Sequence, residues 1–418
     1  MVWAHRVALT LVLLIGLVKI GISQSSVRAE SGTLDARHWN FQNRLPLSGY
    51  WTFYEGQLLL PEQVDTLRGM TQFFPAIWNE GSEDKQRIEY GTYVLKVLLP
   101  DSVQKLGLEI PQLYNSYILW VNGMKVVSTG MVGSTRETTQ PKWIHQTVTF
   151  PHAEDTLVVV LQIANFHHHK GGSKAPILLG SAEGITKHLS RSVTINVIEA
   201  IILFLAGITF ITIFFVKKKR VILYFALLSL TWAIRCLFSN LYPVMVFFPN
   251  IDWQFLVKTE YLTLYFAVMW AILFLHHLLD RLSHAALTYI IVILNALFVI
   301  YTLLTPVVMF SQWLSLYLAV AGVVILYGGY LIVRALLAEH VGSWFLMGSI
   351  LTGVIIFGYD ILAYNTTFNY NYIFLSTGYL VIFLLTALAL LLHLGILKSK
   401  LVDRDVLTYE DFFQKKEK

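Results

Sequence analysis

Seven long apolar runs occupy the second half of this 418-residue chain, near residues 195–216, 221–238, 254–278, 285–305, 311–337, 342–363 and 372–396. An α-helix needs roughly 20 apolar residues to cross the hydrocarbon of a bilayer, and each run comes close to that length. A more polar segment precedes them. Composition follows the same division: 56% of residues are hydrophobic and 14% are charged, against about 25% charged in soluble domains. The chain therefore reads as a multi-pass membrane protein with a polar head. No soluble stretch interleaves basic and aromatic residues, so nucleic acid is not an expected partner.

Residues 1–23 have the layout of a secretory signal peptide. Arg6 marks a basic start, residues 7–18 are apolar, and small Gly21 and Ser23 precede Gln24. Lys19 interrupts the end of the apolar stretch, so an uncleaved anchor stays open as an alternative. Both versions export the segment from 24 to about 193. The one cysteine, Cys236, lies inside the second apolar run. An internal disulfide is thereby excluded, and the exported domain must be held by its core.

Loop charges orient the bundle. Lys217, Lys218, Lys219 and Arg220 lie between the first two runs, Arg281 between the third and fourth, Arg334 at the end of the fifth, and Lys398, Lys400 and Arg404 after the seventh. The alternate loops, 239–253, 306–311 and 364–371, carry no Lys or Arg. Basic loops stay in the cytoplasm. The expected arrangement is a periplasmic or extracellular head, seven crossings of the inner membrane and a cytoplasmic C-terminus.

The head, residues 24–190, reads as an all-β sandwich. Short apolar stretches at 49–54, 92–99, 106–110, 117–121, 125–128, 147–150, 156–164 and 177–180 are separated by turn signals. Asn122-Gly123 between two such stretches has the chemistry of a two-residue hairpin turn.

Particular residues carry a family resemblance. They are Leu47-Ser48-Gly49-Tyr50-Trp51-Thr52-Phe53-Tyr54, Phe74-Pro75-Ala76-Ile77-Trp78, Gly91-Thr92-Tyr93-Val94-Leu95, the Leu119-Trp120-Val121-Asn122-Gly123 hairpin, and Asn165-Phe166-His167-His168-His169-Lys170-Gly171-Gly172. Over about 24–396 the chain resembles the bacterial seven-transmembrane receptors with diverse intracellular signalling modules. The resemblance implies a galactose-binding-like jelly roll followed by an all-α bundle of seven transmembrane helices. It further implies a carbohydrate-like ligand outside and transmission across the membrane. A jelly roll also serves as a protein platform, so a periplasmic protein stays open as the partner.

Sugar sites combine aromatic faces with fixed polar groups. The candidates of those types are Trp78, Trp143, His145, His167, His168, His169 and Lys170. Trp78 and Trp120 equally suit a sandwich core. Trp143 and His145 follow a polar loop at 133–140. Adjacent histidines on a strand point to opposite faces, so three in a row do not readily hold one metal ion. A place at the sandwich rim or facing the membrane is the expectation for the triple histidine.

Ionisable residues inside a membrane are costly and are usually paired or functional. Glu199, Arg235, Lys258, Glu260 and Asp360 all fall toward the outer leaflet when depths are counted at 1.5 Å per residue. They form an expected polar layer beneath the head, with Arg235 paired to Asp360 or Glu260. The plainer reading is that such charges snorkel to the interface. His276 and Asp280 share a helix face, and His393 lies near another helix end. They raise an intramembrane metal-dependent hydrolase as a rival, but no His-Glu-x-x-His is present, and capping of a helix end accounts for them. No catalytic residue, metal ligand or cofactor is assigned.

Relatives of this architecture continue into kinase, cyclase or transcription-factor modules. Here 22 residues, 397–418, follow the seventh run, too few for an independent core. The expectation is a non-enzymatic sensor in contact with membrane lipid that signals to a separate cytoplasmic protein in trans. Output confined to the bundle, or a longer natural chain, remain open. A membrane scaffold or assembly factor whose sandwich grips another protein is the alternative.

Overall fold

The computed structural model describes residues 27–79, 87–100, 105–114, 116–151, 155–365 and 371–397. The expected signal peptide and nearly all of the tail lie outside the described residues.

Among the described residues, thirteen strands build the head. One sheet runs β4 (Met70–Phe74), β3 (Gly49–Glu55), β6 (Tyr90–Leu98), β11 (Thr156–Ala164), β8 (Ser116–Val121) and β9 (Met124–Thr129), with β1 (Thr33–Asp35) pairing parallel to the end of β6. The second sheet runs β10 (Gln146–Pro151), β7 (Lys105–Ile110), β13 (Ile177–Ser181) and β2 (Leu45–Leu47). A small ribbon joins β5 (Ile77–Trp78) to β12 (Gly171–Gly172). The two larger sheets face each other as a β-sandwich of the jelly-roll kind.

Alternation along each strand chooses the core. Tyr93, Leu95 and Val97 of β6 point inward with Leu157, Val159, Leu161 and Ile163 of β11. From the opposing sheet come Leu106, Leu108 and Ile110. All eight sequence-read stretches are strands. Asn122 and Gly123 both take positive φ, 45° and 78°, as a two-residue hairpin turn requires. Short β1, β2, β4, β5 and β12 had no periodicity to reveal them.

The helical half comprises α1 (Ala182–Lys217), α2 (Arg220–Phe238), a short α3 (Val244–Phe247), α4 (Trp253–Leu278), α5 (Ala285–Leu304), a short α6 (Val307–Ser311), α7 (Leu314–Leu337), α8 (Ser343–Asn365) and α9 (Tyr372–His393). Six of these, α1, α2, α4, α5, α7 and α9, are long and apolar enough to cross a membrane, and α8 is apolar through Tyr359. Each of the seven sequence runs corresponds to one of these helices.

No linker separates the two halves. Strand β13 ends at Ser181, and the Ser181 hydroxyl caps α1 by accepting from the Gly184 N–H at 3.2 Å. Helix α1 has 36 residues, about 54 Å at 1.5 Å per residue, far more than the ~30 Å of bilayer hydrocarbon. Its first apolar run begins only near 195. The preceding turns therefore serve another purpose, which is to pack on the sandwich.

Candidate functional site

The first contact between the halves follows from the pleat of β7. With Leu106, Leu108 and Ile110 turned into the sandwich, Gly107 and Glu109 must turn outward. The start of α1 covers that outward face. A Cβ on Gly107 would stand 3.3 Å from Ala182 Cα, so glycine permits the close approach. Ile185 is fully buried there.

Glu109 is only 2% exposed, although it leaves the sandwich core. His145 Nε2 lies 3.0 Å from its Oε1, and His188 Nδ1, from α1, lies 2.9 Å from its Oε2. Arg44 reaches to 3.8 Å of Oε2. Burial alone pushes the Glu109 carboxyl up, but the hydrogen bonds and positive fields of His145 and His188 outweigh it and hold the carboxyl at about 2. His188 Nδ1 also stands 2.9 Å from an Arg44 nitrogen. Arginine only donates. A protonated Nδ1 thus bonds Glu109, and an unprotonated one accepts from Arg44.

The second contact is made by two loops at the sandwich rim. Trp143 is 3% exposed and packs with Tyr242 at 5.8 Å and Trp253 at 5.9 Å, both from the bundle. Its indole N–H donates to the Tyr114 carbonyl. Trp143 thereby joins a buried cluster with Tyr261, Phe310 and Tyr317 at the end of the helices. His168 stacks on Tyr114 at 5.1 Å. Its Nδ1 lies 3.0 Å from the Lys170 carbonyl and 3.1 Å from the Lys170 backbone nitrogen, and Nε2 faces the Tyr261 hydroxyl at 3.3 Å. Burial pushes the His168 imidazole down to about 3, so the ring is neutral. The His169 N–H donates to Ser311 Oγ at 3.1 Å. His167 Nε2 donates to the Thr139 carbonyl at 3.0 Å and ties the two rim loops together.

Of the seven residues expected to contact ligand, Trp143, His145, His167, His168, His169 and Lys170 gather at this junction. Trp78 does not. It fills the sandwich core at 1% exposure, and its indole donates to the Tyr93 hydroxyl at 2.9 Å. Sequence reasoning missed Glu109, His188, Arg44, Tyr242, Trp253 and Tyr261. A visible signal existed for Glu109 alone: a carboxylate at an alternate position within an otherwise apolar strand.

The expected polar layer is distributed differently. Arg235 reaches α4 through the backbone carbonyl of Glu260 at 2.8 Å, while the Glu260 carboxyl accepts from the Tyr242 hydroxyl at 3.0 Å. Lys174 from the sandwich stands near enough to act on the same carboxyl. Lys258 donates to the Leu303 carbonyl at 2.9 Å. Glu199 is buried near Ser376, Cys236 and Trp232, and neither of its carboxyl oxygens completes a hydrogen bond. The Asp360 side chain lies outside the described residues. No ion pair joins any two of Glu199, Arg235, Lys258 and Glu260 among the described residues.

His276 Nδ1 lies 2.6 Å from Ser283 Oγ, and His277 Nδ1 donates to the Leu273 carbonyl at 3.0 Å. His393 stacks on His340 with Lys219 and Asp280 nearby, at the end of the bundle away from the sandwich. Among the described residues no three His, Cys, Asp or Glu side chains gather as a metal site.

Residues 195–397 match the family model described as 7TM diverse intracellular signalling. The helical half is a seven-transmembrane receptor domain of that family. With its apolar helices, this domain makes the chain a multi-pass membrane protein with a receptor-type role. No curated protein matches the chain. Among solved structures, the chain is similar to a β-glucuronidase from Ruminococcus gnavus at 13% identity and TM-score 0.25, covering 32% of this chain and 28% of that one. It is also similar to a GH2 β-galacturonidase from Eisenbergiella tayi at 12% identity and TM-score 0.24, covering 33% and 24%. The chain spans less than a third of the length of either enzyme.

Proposed function

We propose that this protein is a non-enzymatic transmembrane sensor in which the sandwich binds outside the inner membrane and the seven helices carry the result to a separate cytoplasmic protein. The single observation that carries this reading is the buried junction. Glu109–His188 and His168–Tyr261 hydrogen-bond sandwich residues directly to helices α1 and α4. A head that moves on binding cannot do so without moving helix ends, because interfaces packed in this way switch between discrete arrangements.

The basic loop residues Lys217, Lys218, Lys219 and Arg220 lie at the far end of α1 from the sandwich. That placement supports a periplasmic head and a cytoplasmic far end under the positive-inside rule. A carbohydrate-like ligand or a periplasmic protein would occupy the outer domain. A ligand shifts the two states only by its differential affinity for them.

Hydrogen exchange on the full chain in lipid nanodiscs, with and without a panel of mono- and oligosaccharides, tests the reading. A binding sugar is expected to change protection in the rim loops and in the outer ends of α1 and α4 together. A sugar that protects the sandwich while leaving both helix ends unchanged would overturn transmission through the junction. Capture from detergent extracts on a tagged C-terminus then asks for the cytoplasmic partner.

A further inference from the structure

A cavity of about 530 Å³ opens beside the junction, within the ~300–1,000 Å³ range of ordinary small-molecule sites. Three elements line it: the segment entering β10, one face of α1 from Thr186 to Ile198, and the segment 241–247 containing α3. On α1 the lining positions recur at spacings of three and four residues, so they form a single stripe about 18 Å long.

The stripe changes character along its length. Next to the sandwich it presents Thr186 and Ser190, facing His145 and Thr147. Farther down it presents Val197 and Ile198, and Val246 and Phe247 also line the cavity. Val246 and Phe247 are 68% and 60% exposed, so the groove ends in uncovered apolar side chains. Among the described residues no Lys, Arg, Asp or Glu lines the cavity. The Thr186 and Thr194 hydroxyls donate to the helix carbonyls of Ala182 and Ser190 at 2.9 and 2.8 Å. Their oxygens therefore face the cavity as acceptors.

We propose that this groove binds a single-chain amphiphile with an uncharged, hydroxyl-bearing head that enters from the outer leaflet. The chain lies along Val197, Ile198, Val246 and Phe247. The head donates hydrogen bonds to the threonine and serine oxygens. A charged head would meet no Lys, Arg, Asp or Glu side chain at the polar end, where His145 is already engaged by Glu109, and a free sugar would leave the apolar part of the groove uncovered. The position is mechanically apt. His145 on its wall holds Glu109, and Tyr242 on its wall holds both Trp143 and Glu260. An occupant therefore touches both links between sandwich and bundle. This inference rests on the sensor reading and adds the ligand class and the route of entry.

The test uses the full chain in nanodiscs with a diazirine-bearing monoacylglycerol, followed by mass spectrometry of the labelled peptides. Labelling is expected to concentrate in residues 186–198 and 241–247, to fall at least fivefold with excess monoacylglycerol, and to persist with excess glycerol or anionic diacyl lipid. Val193→Phe, which fills the groove, is expected to reduce it at least fivefold without moving the thermal midpoint by more than about 2 °C. Should that variant unfold, Thr186→Val, which removes a polar contact at similar bulk, must weaken competition by the hydroxylated amphiphile. Labelling spread evenly over all lipid-facing helices means annular lipid only and overturns the proposal. Competition by anionic diacyl lipid overturns the choice of head. Neither result touches transmission through the junction, which the hydrogen-exchange experiment reads separately.

Discussion

His188 Nδ1 lies 2.9 Å from Glu109 Oε2, so the first helix of the bundle is hydrogen-bonded to a sandwich strand through a carboxylate sealed from water. His145 binds the other carboxyl oxygen at 3.0 Å. Strand β7, the segment before β10 and helix α1 therefore meet at one side chain.

Glu109→Gln keeps the shape and removes the charge. Breaking a buried charged pair costs about 3–5 kcal/mol. The variant is expected to show a lower thermal midpoint in nanodiscs, with the sandwich melting before the helices. A midpoint equal to wild type would remove Glu109 from the junction.

Trp143→Ala leaves a cavity where an indole joined two domains. Large-to-small changes of this type cost about 3–5 kcal/mol. The expected signature is faster exchange at the ends of α2 and α4 that meet the sandwich, with the far ends unchanged. Uniform loosening of the sandwich core instead would assign Trp143 to sandwich stability alone.

Acid should loosen the junction over two overlapping windows, the His168 window opening first. His168 is pushed down from 6.5 to about 3 by burial. Its neutral form is the one the fold holds, so its contribution is complete above pH 6.5 and declines as pH falls toward 3. Glu109 is held at about 2 against an ordinary 4.5. Its contribution is complete above pH 4.5 and is lost as pH falls toward 2. Between pH 6.5 and 4.5 only His168 changes of these two. His168→Gln should therefore flatten the fall in thermal midpoint over that interval, and Glu109→Gln should flatten only the part below it. An unchanged slope in His168→Gln is the result that contradicts the burial of that ring.

The strand-to-helix passage at Ser181 predicts a mechanical effect. Inserting two glycines after Ser181 separates β13 from α1 and removes the Ser181 cap on Gly184, while leaving the strand ladder and the interior helix bonds intact. Sandwich and bundle should still fold, but ligand-linked exchange changes in α1 should fall severalfold. Full retention would show that the side-chain contacts suffice without the covalent rod.

Glu199 offers a contrasting substitution. A buried polar group without a partner costs about 1–3 kcal/mol, and more when charged. Glu199→Gln removes the ionisable group and is expected to raise the thermal midpoint. A fall would mean that the carboxylate is satisfied by something that glutamine does not accept.

Periodicity made the main elements legible in the chain itself. Runs of about 20 apolar residues can only be satisfied as helices in lipid, where every backbone polar group must bond within its own segment. Alternation in β6, β7, β8 and β11 marked one face of each strand for the core, and Asn122-Gly123 marked a turn because of its positive φ. These are local constraints, readable from neighbours along the chain. The meeting of Glu109 with His188, and of His168 with Tyr261, spans 79 and 93 residues. Such contacts depend on how a strand pleats, where a helix starts and which way two rim loops turn. The Trp143 and triple-histidine segments stood out by composition, but aromatic and imidazole groups suit an open sugar site and a buried joint equally well. Only the packing of the sandwich onto the helix ends, which seals Trp143 and His168 from water and leaves His167 and His169 half-buried, decided between those two surroundings.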